Sequence, residues 1–401
     1  MEQGNGFRIA VSLLVFVALV IVFSSISARL WGEKPEKIPL RPEMVFQEEM
    51  TVSEFGTVNQ LQNTLLVEVF GLVSKEDLQK KVTEFQLSKD QILSRANKVL
   101  ALEGEHASKN WLKILIKFVL WTFFLGFVFS LVKKRRITSR NRRWVLLSGV
   151  VLFGVILGSD PSPMGTIKDA IVLLAKSGVI FPPRAVALTL FFIFVFVANK
   201  FICTWGCQFG TLQDFIFRLN RDSKDRQGRM RQFKPPFILT NTIRVVFLAA
   251  FTLVAFLWKV DFVELIDPFK IFNPSKMILA GGIFVGVLSI ASLFIYRPWC
   301  HFFCPFGLAG WIVEKVSLVK IKVNYETCIA CEACAKACPS TVMNVILKRE
   351  RLIPDCFSCA TCIETCPTSS ISFESGKRNK PPAGKFQKGG HRLLSRNLSE
   401  Q

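Results

Sequence analysis

Residues 112–143 read LKILIKFVLWTFFLGFVFSLVKKRRITSRNRR: 21 mostly apolar residues, then 11 that carry seven positive charges and no negative one. Crossing a bilayer as a helix takes about 20 apolar residues. Short loops rich in Lys and Arg stay on the cytoplasmic side. This one stretch therefore predicts both a membrane span and its direction. Working outward, comparable apolar runs occupy 9–27, 144–158, 185–198, 245–257 and 277–296, for six predicted spans. Three of them are short and are expected to extend into flanking residues such as Phe201-Ile202 or 237–243. Residues 169–175 (DAIVLLA), between Lys168 and Lys176, are too few to cross and read as an interfacial or re-entrant helix. The first run lacks a small-residue cleavage pattern before Arg29 and Trp31, so it reads as a retained helix.

The other loops agree on direction. Residues 200–234 hold eight Lys/Arg against Asp214, Asp222 and Asp225, whereas 259–276 balance three lysines with Asp261, Glu264 and Asp267. Residues 30–110 are polar, lack cysteine and carry 10 Lys/Arg against 13 Asp/Glu, a net of −3 (10 − 13). The charge rule then places both termini and all 12 cysteines on the cytoplasmic side of a bacterial inner membrane, with 30–110 outside. The outer segment contains two half-similar pieces, 50–72 and 76–100, each with apolar residues at helical spacing around a short break. They predict two small helix–turn–helix units.

Half of the 401 residues are hydrophobic and mean hydropathy is +0.37, too apolar for a disordered chain. The net charge of +21 sits in the loops between apolar runs, which is the pattern of membrane topology and excludes nucleic acid as its reason. Only His106, His301 and His391 occur, none inside an apolar run, so a membrane haem with two axial histidines is excluded. No Cys-x-x-Cys-His occurs, which excludes covalently attached haem. Thiols on the reducing side are not a disulfide scaffold; they are metal ligands or redox groups.

Eight of the cysteines form two runs. Cys328-Ile-Ala-Cys331-Glu-Ala-Cys334-Ala-Lys-Ala-Cys338-Pro339 repeats 28 positions later as Cys356-Phe-Ser-Cys359-Ala-Thr-Cys362-Ile-Glu-Thr-Cys366-Pro367. This C-x2-C-x2-C-x3-C-P spacing is that of bacterial two-cluster ferredoxins, in which the fourth cysteine serves the other cluster. The spacing assigns Cys328, Cys331, Cys334 and Cys366 to one [4Fe–4S] cluster, and Cys356, Cys359, Cys362 and Cys338 to a second. Zinc would use two Cys-x-x-Cys pairs, not four cysteines in one register twice. The other four are Cys203-Thr-Trp-Gly-Cys207 and Cys300-His-Phe-Phe-Cys304-Pro305, after the fourth and sixth spans. On a helix, i and i+4 share a face, so each pair offers two thiolates in one direction. Together they suffice for a third metal centre or a copper(I) site, or they are simply buried thiols. His301 reads as a rim residue rather than a ligand.

Six spans, paired C-x3-C motifs at the inner face and a C-terminal two-cluster ferredoxin module resemble the NapH/NosR-type membrane polyferredoxins. These include the membrane subunit of periplasmic nitrate reduction and a membrane protein that supports nitrous oxide reduction. The resemblance runs from about 145 to 373. It includes Gly158-Ser-Asp-Pro-Ser-Pro-Met-Gly165, Phe181-Pro-Pro-Arg184 and Trp205-Gly-Cys-Gln-Phe-Gly-Thr-Leu-Gln-Asp214. In this family proline often follows the second cysteine of both C-x3-C motifs, whereas here Gln208 follows Cys207. The covalent-flavin signature of the nitrous-oxide type is missing from 30–110, so no covalent flavin is expected. Copper-reducing CcoG-type assembly factors are similar in their cysteine motifs, but typically add a span and an outer domain. Here a tail with seven Lys/Arg follows residue 376, which suits an anionic inner leaflet.

The expected fold is a polytopic α-helical membrane protein with a C-terminal α+β two-cluster ferredoxin domain. Its expected parts are a first helix (1–29), an outer helical segment (30–110), a five-helix membrane domain (111–315), the ferredoxin module (316–375) and a basic tail (376–401). No Rossmann fingerprint or P-loop is present, so electrons come from a protein partner or a quinol. The expected function is single-electron transfer through the two clusters, between the quinone pool and a respiratory protein partner. Asp160, Lys168 and Asp169 are candidates for handling quinone protons. Copper handling by Cys203, Cys207, Cys300 and Cys304, and redox sensing by labile clusters, are the alternatives.

Overall fold

The computed structural model describes residues 2–32, 44–348, 350 and 352–386; from residue 387 on, the basic tail lies outside them. Helix α1 (Glu2–Leu30) is followed by an outer segment with α2 (Val52–Val58), α3 (Asn63–Phe70) and α4 (Lys89–Ala107). These three bury their own core, which includes Val52, Phe55, Leu66, Val82, Ile92 and Ala96. Residues 50–72 fold as a helix–turn–helix, but 76–100 do not. They form two 3-10 turns, Lys75–Gln79 and Val82–Phe85, and the first part of α4. Each turn is closed by its own carboxylate. Asp77 accepts from the N–H groups of Val73 and Ser74, and Glu84 from that of Lys81, so neither turn lengthens into a helix.

The bundle continues with α5 (Trp111–Lys133) and α6 (Ser139–Gly149), which runs into a π-helical stretch, Val150–Ile156. The widened turn surrounds Gly154, where an added Cβ would lie 2.4 Å from the Phe272 ring. Next come α7 (Pro163–Ser177), α8 (Pro182–Ala198), α9 (Phe201–Trp205), α10 (Gln208–Leu219) and α11 (Phe237–Trp258). They are followed by α12 (Leu279–Phe294), α13 (Pro298–Phe302) and α14 (Pro305–Glu314). Among the described residues, three helices, α1, α5 and α11, are long and apolar enough to cross a membrane. Helices α8 and α12, of 17 and 16 residues, are apolar but shorter.

Helix α11 does begin at Phe237, eight residues before the apolar run, as the flanks suggested. Helix α8 does not extend into Phe201-Ile202. Asn199 breaks it at φ 60° and ψ −159°, a backbone setting outside any helix. The short DAIVLLA helix is part of the 15-residue α7, which starts on Pro163 with the Ser162 hydroxyl capping the Gly165 N–H.

The outer surface of the bundle is apolar. On α12, Leu279, Ile283, Val287 and Ile290 are exposed along one face. On α5, Leu112, Leu115, Phe123 and Phe127 are exposed, while Lys117, Trp121, Leu125, Val128 and Val132 face inward. Such a surface suits lipid rather than water.

The structure contains a second repeat. Cys203 and Cys300 are 97 positions apart (300 − 203), and Cys207 and Cys304 also (304 − 207). The same offset maps the starts of α8, α9 and α10 onto those of α12, α13 and α14. After α14 the chain leaves the bundle through strand β1 (Val319–Val323), which pairs antiparallel with β2 (Ile371–Ser375). Between the strands lie α15 (Ala333–Ala337), α16 (Val342–Lys348) and α17 (Thr361–Thr365), and Val323 pairs with Ile371 to close the loop. Phe373 of β2 packs on Phe129 of α5 and Phe201 of α9, which seats this module against the end of the bundle.

Candidate metal centres

The two four-cysteine runs wrap the same way. Ala330 and Glu332 flank Cys331 with φ of 54° and 55°, and Ser358 and Ala360 flank Cys359 with 51° and 64°. These left-handed settings cost energy in residues other than glycine, and turn successive N–H groups into one concavity that favours anions. Cys334 then sits on α15 and Cys362 on α17, while Cys338 and Cys366 end those helices ahead of Pro339 and Pro367. Cys334 has Cys366, Cys328 and Cys331 as its electrostatic neighbours. Those of Cys362 are Cys359, Cys338 and Cys356, with Cys334 the weakest. The fourth cysteine of each run thus lies with the first three of the other.

Burial, with the neighbouring sulfurs added, pushes the Cys334 thiol up to about 12. Thiols packed in this way ionise only around a cation, which is what bound iron supplies. Burial is the largest single influence on Cys359 also, but the Arg218 and Arg142 guanidiniums and the Thr361 hydroxyl together hold that thiol below its ordinary value. Donors ring the sulfurs: the Ser370 N–H reaches Cys366 Sγ at 3.2 Å, and the Thr361 hydroxyl lies 3.5 Å from Cys359 Sγ. Contacts of this kind tune a bound metal centre.

The pairs Cys203/Cys207 and Cys300/Cys304 are not on continuous helices, contrary to the i, i+4 expectation. Cys203 and Cys300 lie in the short helices α9 and α13. Cys207 and Cys304 are extended N-cap residues that start α10 and α14. A proline cannot sit inside a helix, so Pro305 forces the restart at Cys304, and Gly206 accompanies the matching break at Cys207. All four are buried, and they face one another: Cys203 has Cys207 and Cys304 as electrostatic neighbours, and Cys300 has Cys304, Cys207 and Cys203. The Trp121 indole, halfway along α5, donates to the Gly206 carbonyl at 3.0 Å.

Buried cations surround both centres. Arg297 donates to the Cys203 carbonyl (2.6 Å) and to Asp214 (2.5 Å), and Arg244 donates to the Cys300 carbonyl (3.3 Å). Lys200 donates to the Gly307 carbonyl and pairs with Asp355, which Arg244 also contacts at 3.1 Å. Arg142 and Arg218 converge on Asp225, and Arg142 reaches on to Glu364 of α17. None of these pairings was expected. Arg142, Lys200 and Arg218 belong to stretches whose charge reads as loop charge, Arg244 and Arg297 to neither of those stretches, and nothing in the spacing distinguishes a buried arginine from a solvated one.

The three quinone candidates fall in one polar network at the other end of α5. Asp160 pairs with Lys109 at 2.7 Å. Lys168 is buried among Asp169, Asp261, Glu264 and Asp267, and Asp169 also lies 3.3 Å from Arg184. Lys168 is therefore held by carboxylates rather than standing in a hydrated loop. An apolar cavity opens beside this network, lined by Trp111, Ile114, Phe118, Asp160, Asp169 and Arg184. Its wall includes Pro161, whose carbonyl accepts from the side chain of Gln208, the residue after Cys207. Lys117, fully buried in α5, donates to the carbonyls of Gly158 and Asp160. A lysine inside an apolar run was the sequence signal for this contact.

Comparison with known proteins gives the same domains. A 4Fe-4S dicluster domain matches residues 320–367, and a 4Fe-4S binding domain matches twice, at 180–226 and 277–324. Over 164 residues, 39% of its length, the chain is 32% identical to the Escherichia coli protein named "Putative electron transport protein YccM". It spans 45% of that relative, less than half. It is also 24% identical over 232 residues, 57% of its length, to an uncharacterized protein of Methanocaldococcus jannaschii, of which it covers 82%. No solved structure matches. The chain carries ferredoxin-type 4Fe–4S domains attached to apolar helices suited to a membrane.

Proposed function

We propose that this protein is a membrane-bound iron–sulfur electron carrier of the NapH/NosR-like kind, moving single electrons between the quinone pool and a respiratory protein partner. The observation that carries this is the exchange of fourth cysteines between the two runs. Cys328, Cys331, Cys334 and Cys366 would hold one [4Fe–4S] cluster, and Cys356, Cys359, Cys362 and Cys338 the other. Such clusters, when bound, supply one-electron transfer at a potential set by burial and hydrogen bonding. The chain's own residues prepare the sites. Left-handed residues aim N–H groups inward, Arg218 favours the thiolate of Cys359, and α15 and α17 pack together to hold the two sets side by side.

The same reading takes the bundle as six spans in a bacterial inner membrane, with α8 and α12 as the short ones and both termini inside. Its parts are 1–29, 30–110, 111–315, 316–375 and 376–401. The cavity beside Asp160, Asp169 and Arg184 suits a quinone head group, since apolar walls with a few convergent polar groups are the usual form of a small-molecule site. The resemblance to a relative named for electron transport supports the electron-transfer reading.

Low-temperature EPR on anaerobically purified, dithionite-reduced protein tests it. The broadened spectrum of two interacting clusters is expected, with Cys334→Ser and Cys362→Ser each removing about four iron. Zinc in place of iron overturns the proposal. For the quinone site, Asp169→Asn should slow cluster reduction by a quinol analogue and leave reduction by dithionite unchanged.

A further inference from the structure

We infer that Cys203, Cys207, Cys300 and Cys304 together hold a third [4Fe–4S] cluster inside the helix bundle, in electronic contact with the Cys338/Cys356/Cys359/Cys362 site. Each of the two 4Fe–4S binding segments, 180–226 and 277–324, contains only two cysteines. A cubane of this type takes four. Neither segment can serve alone, and the packing brings the two pairs together: Arg297, three residues before Cys300, donates to the Cys203 carbonyl at 2.6 Å, and Cys300 Sγ lies 3.7 Å from Gln213 Oε1 on α10, the helix that Cys207 starts.

The surroundings are built for a negatively charged guest. Four thiolates around a [4Fe–4S] core leave net negative charge, and here two helix N-termini, those of α10 and α14, begin at Cys207 and Cys304. The Gly307 N–H donates to Cys304 Sγ at 3.3 Å. Arg297, Arg244 and Lys200 are wholly buried and donate to the carbonyls of Cys203, Cys300 and Gly307. Gly210 and Gly307 let each helix start press against its cysteine turn, since an added Cβ would lie 2.5 Å from the Cys203 carbonyl and 2.8 Å from that of Cys300.

Spacing favours a cluster over one ion. With metal–sulfur bonds of about 2.3 Å, thiolates around a single tetrahedral ion lie about 3.8 Å apart. Among the described residues, no three cysteine sulfurs lie within 4.8 Å of one another.

A short path leads to the neighbouring site. The Thr204 hydroxyl donates to the Phe357 carbonyl, and the Trp205 indole reaches that of Ser358 at 3.4 Å. The Phe357 ring, next to Cys356, lies 4.9 Å from the Arg297 guanidinium and 5.3 Å from the His301 ring. One electron lost by one site is gained by the other, and no bond forms or breaks. This electron path rests on the ferredoxin reading above, whereas the metal content of the bundle site does not.

The test is iron and acid-labile sulfide on full-length protein purified anaerobically in detergent. About twelve of each per chain are expected. The paired variants Cys203→Ser/Cys300→Ser and Cys207→Ser/Cys304→Ser should each fall to about eight, with the EPR spectrum of two interacting clusters retained. About eight iron in the unaltered protein overturns the inference whatever the variants do, and so does one copper per chain beside eight iron. Failure of the ferredoxin reading looks different: about four iron that survive Cys334→Ser and Cys362→Ser but disappear in the Cys203→Ser/Cys300→Ser variant.

Discussion

Asp355 is fully buried, and two buried cations, Lys200 and Arg244, share its carboxylate. It stands one residue before Cys356, so this ion triad ties the ferredoxin module to the floor of the bundle. Removing one partner of a buried pair strands the other charge, at a cost of about 3–5 kcal/mol. Asp355→Asn is therefore expected to lower the melting temperature in detergent by that measure, and an unchanged melt would show that the triad is not a tie. Gly210 sets a second limit at this scale. Gly210→Ala pushes a methyl into the Cys203 carbonyl, an overpacking cost of about 1–3 kcal/mol. Iron analysis should show a loss confined to the bundle site, with the ferredoxin EPR intact. The cysteines themselves were legible, because cubane ligation imposes a spacing on the chain. Lys200 and Arg244 were not, because a cation that pairs with Asp355 across more than a hundred residues leaves no local pattern.

Helix α5 shows what an element adds to its residues. Its inward stripe is Lys117, Trp121, Leu125, Val128 and Val132, spaced at three to four residues, and the opposite face is exposed phenylalanine and leucine. Hydropathy located the helix, but both faces are apolar, so no amphipathic pattern announced which side turns inward. Lys117 does, since an amine at that depth needs acceptors and finds them in the carbonyls of Gly158 and Asp160. Lys117→Met strands both carbonyls, about 1–3 kcal/mol, and should slow reduction by a quinol analogue while dithionite still reduces the clusters. The outer segment behaves as a separate element. Phe55→Ala, in its private core, should cost about 3–5 kcal/mol there, read as faster proteolysis of 44–107 with iron content unchanged. The second half of that segment escaped the periodicity reading because Asp77 and Glu84 cap their own turns, a local choice that outweighs helical spacing.

Across the whole molecule, charge asymmetry makes a direct claim. The proposed topology, with 44–107 outside and the 220–234 loop inside, predicts that Ser74→Cys reacts with an impermeant maleimide in intact cells, and Lys224→Cys only after lysis. The reverse result would invert the topology. The 97-residue repeat was visible in part, since both C-x3-C motifs continue to Phe-Gly, at Phe209-Gly210 and Phe306-Gly307. Most other positions of the two halves differ, and the matching breaks before α9 and α13, with the one domain family that matches both segments, show that they share one plan. The sequence by itself determined what is set locally: apolar length, loop charge, and the register of eight cysteines that a cubane demands. Only the tertiary structure decided that four more cysteines converge inside the bundle, and that Lys200, whose charge reads as loop charge, is buried beside them. Burial and convergence are properties of which segments pack together, and packing depends on contacts between residues far apart in the chain.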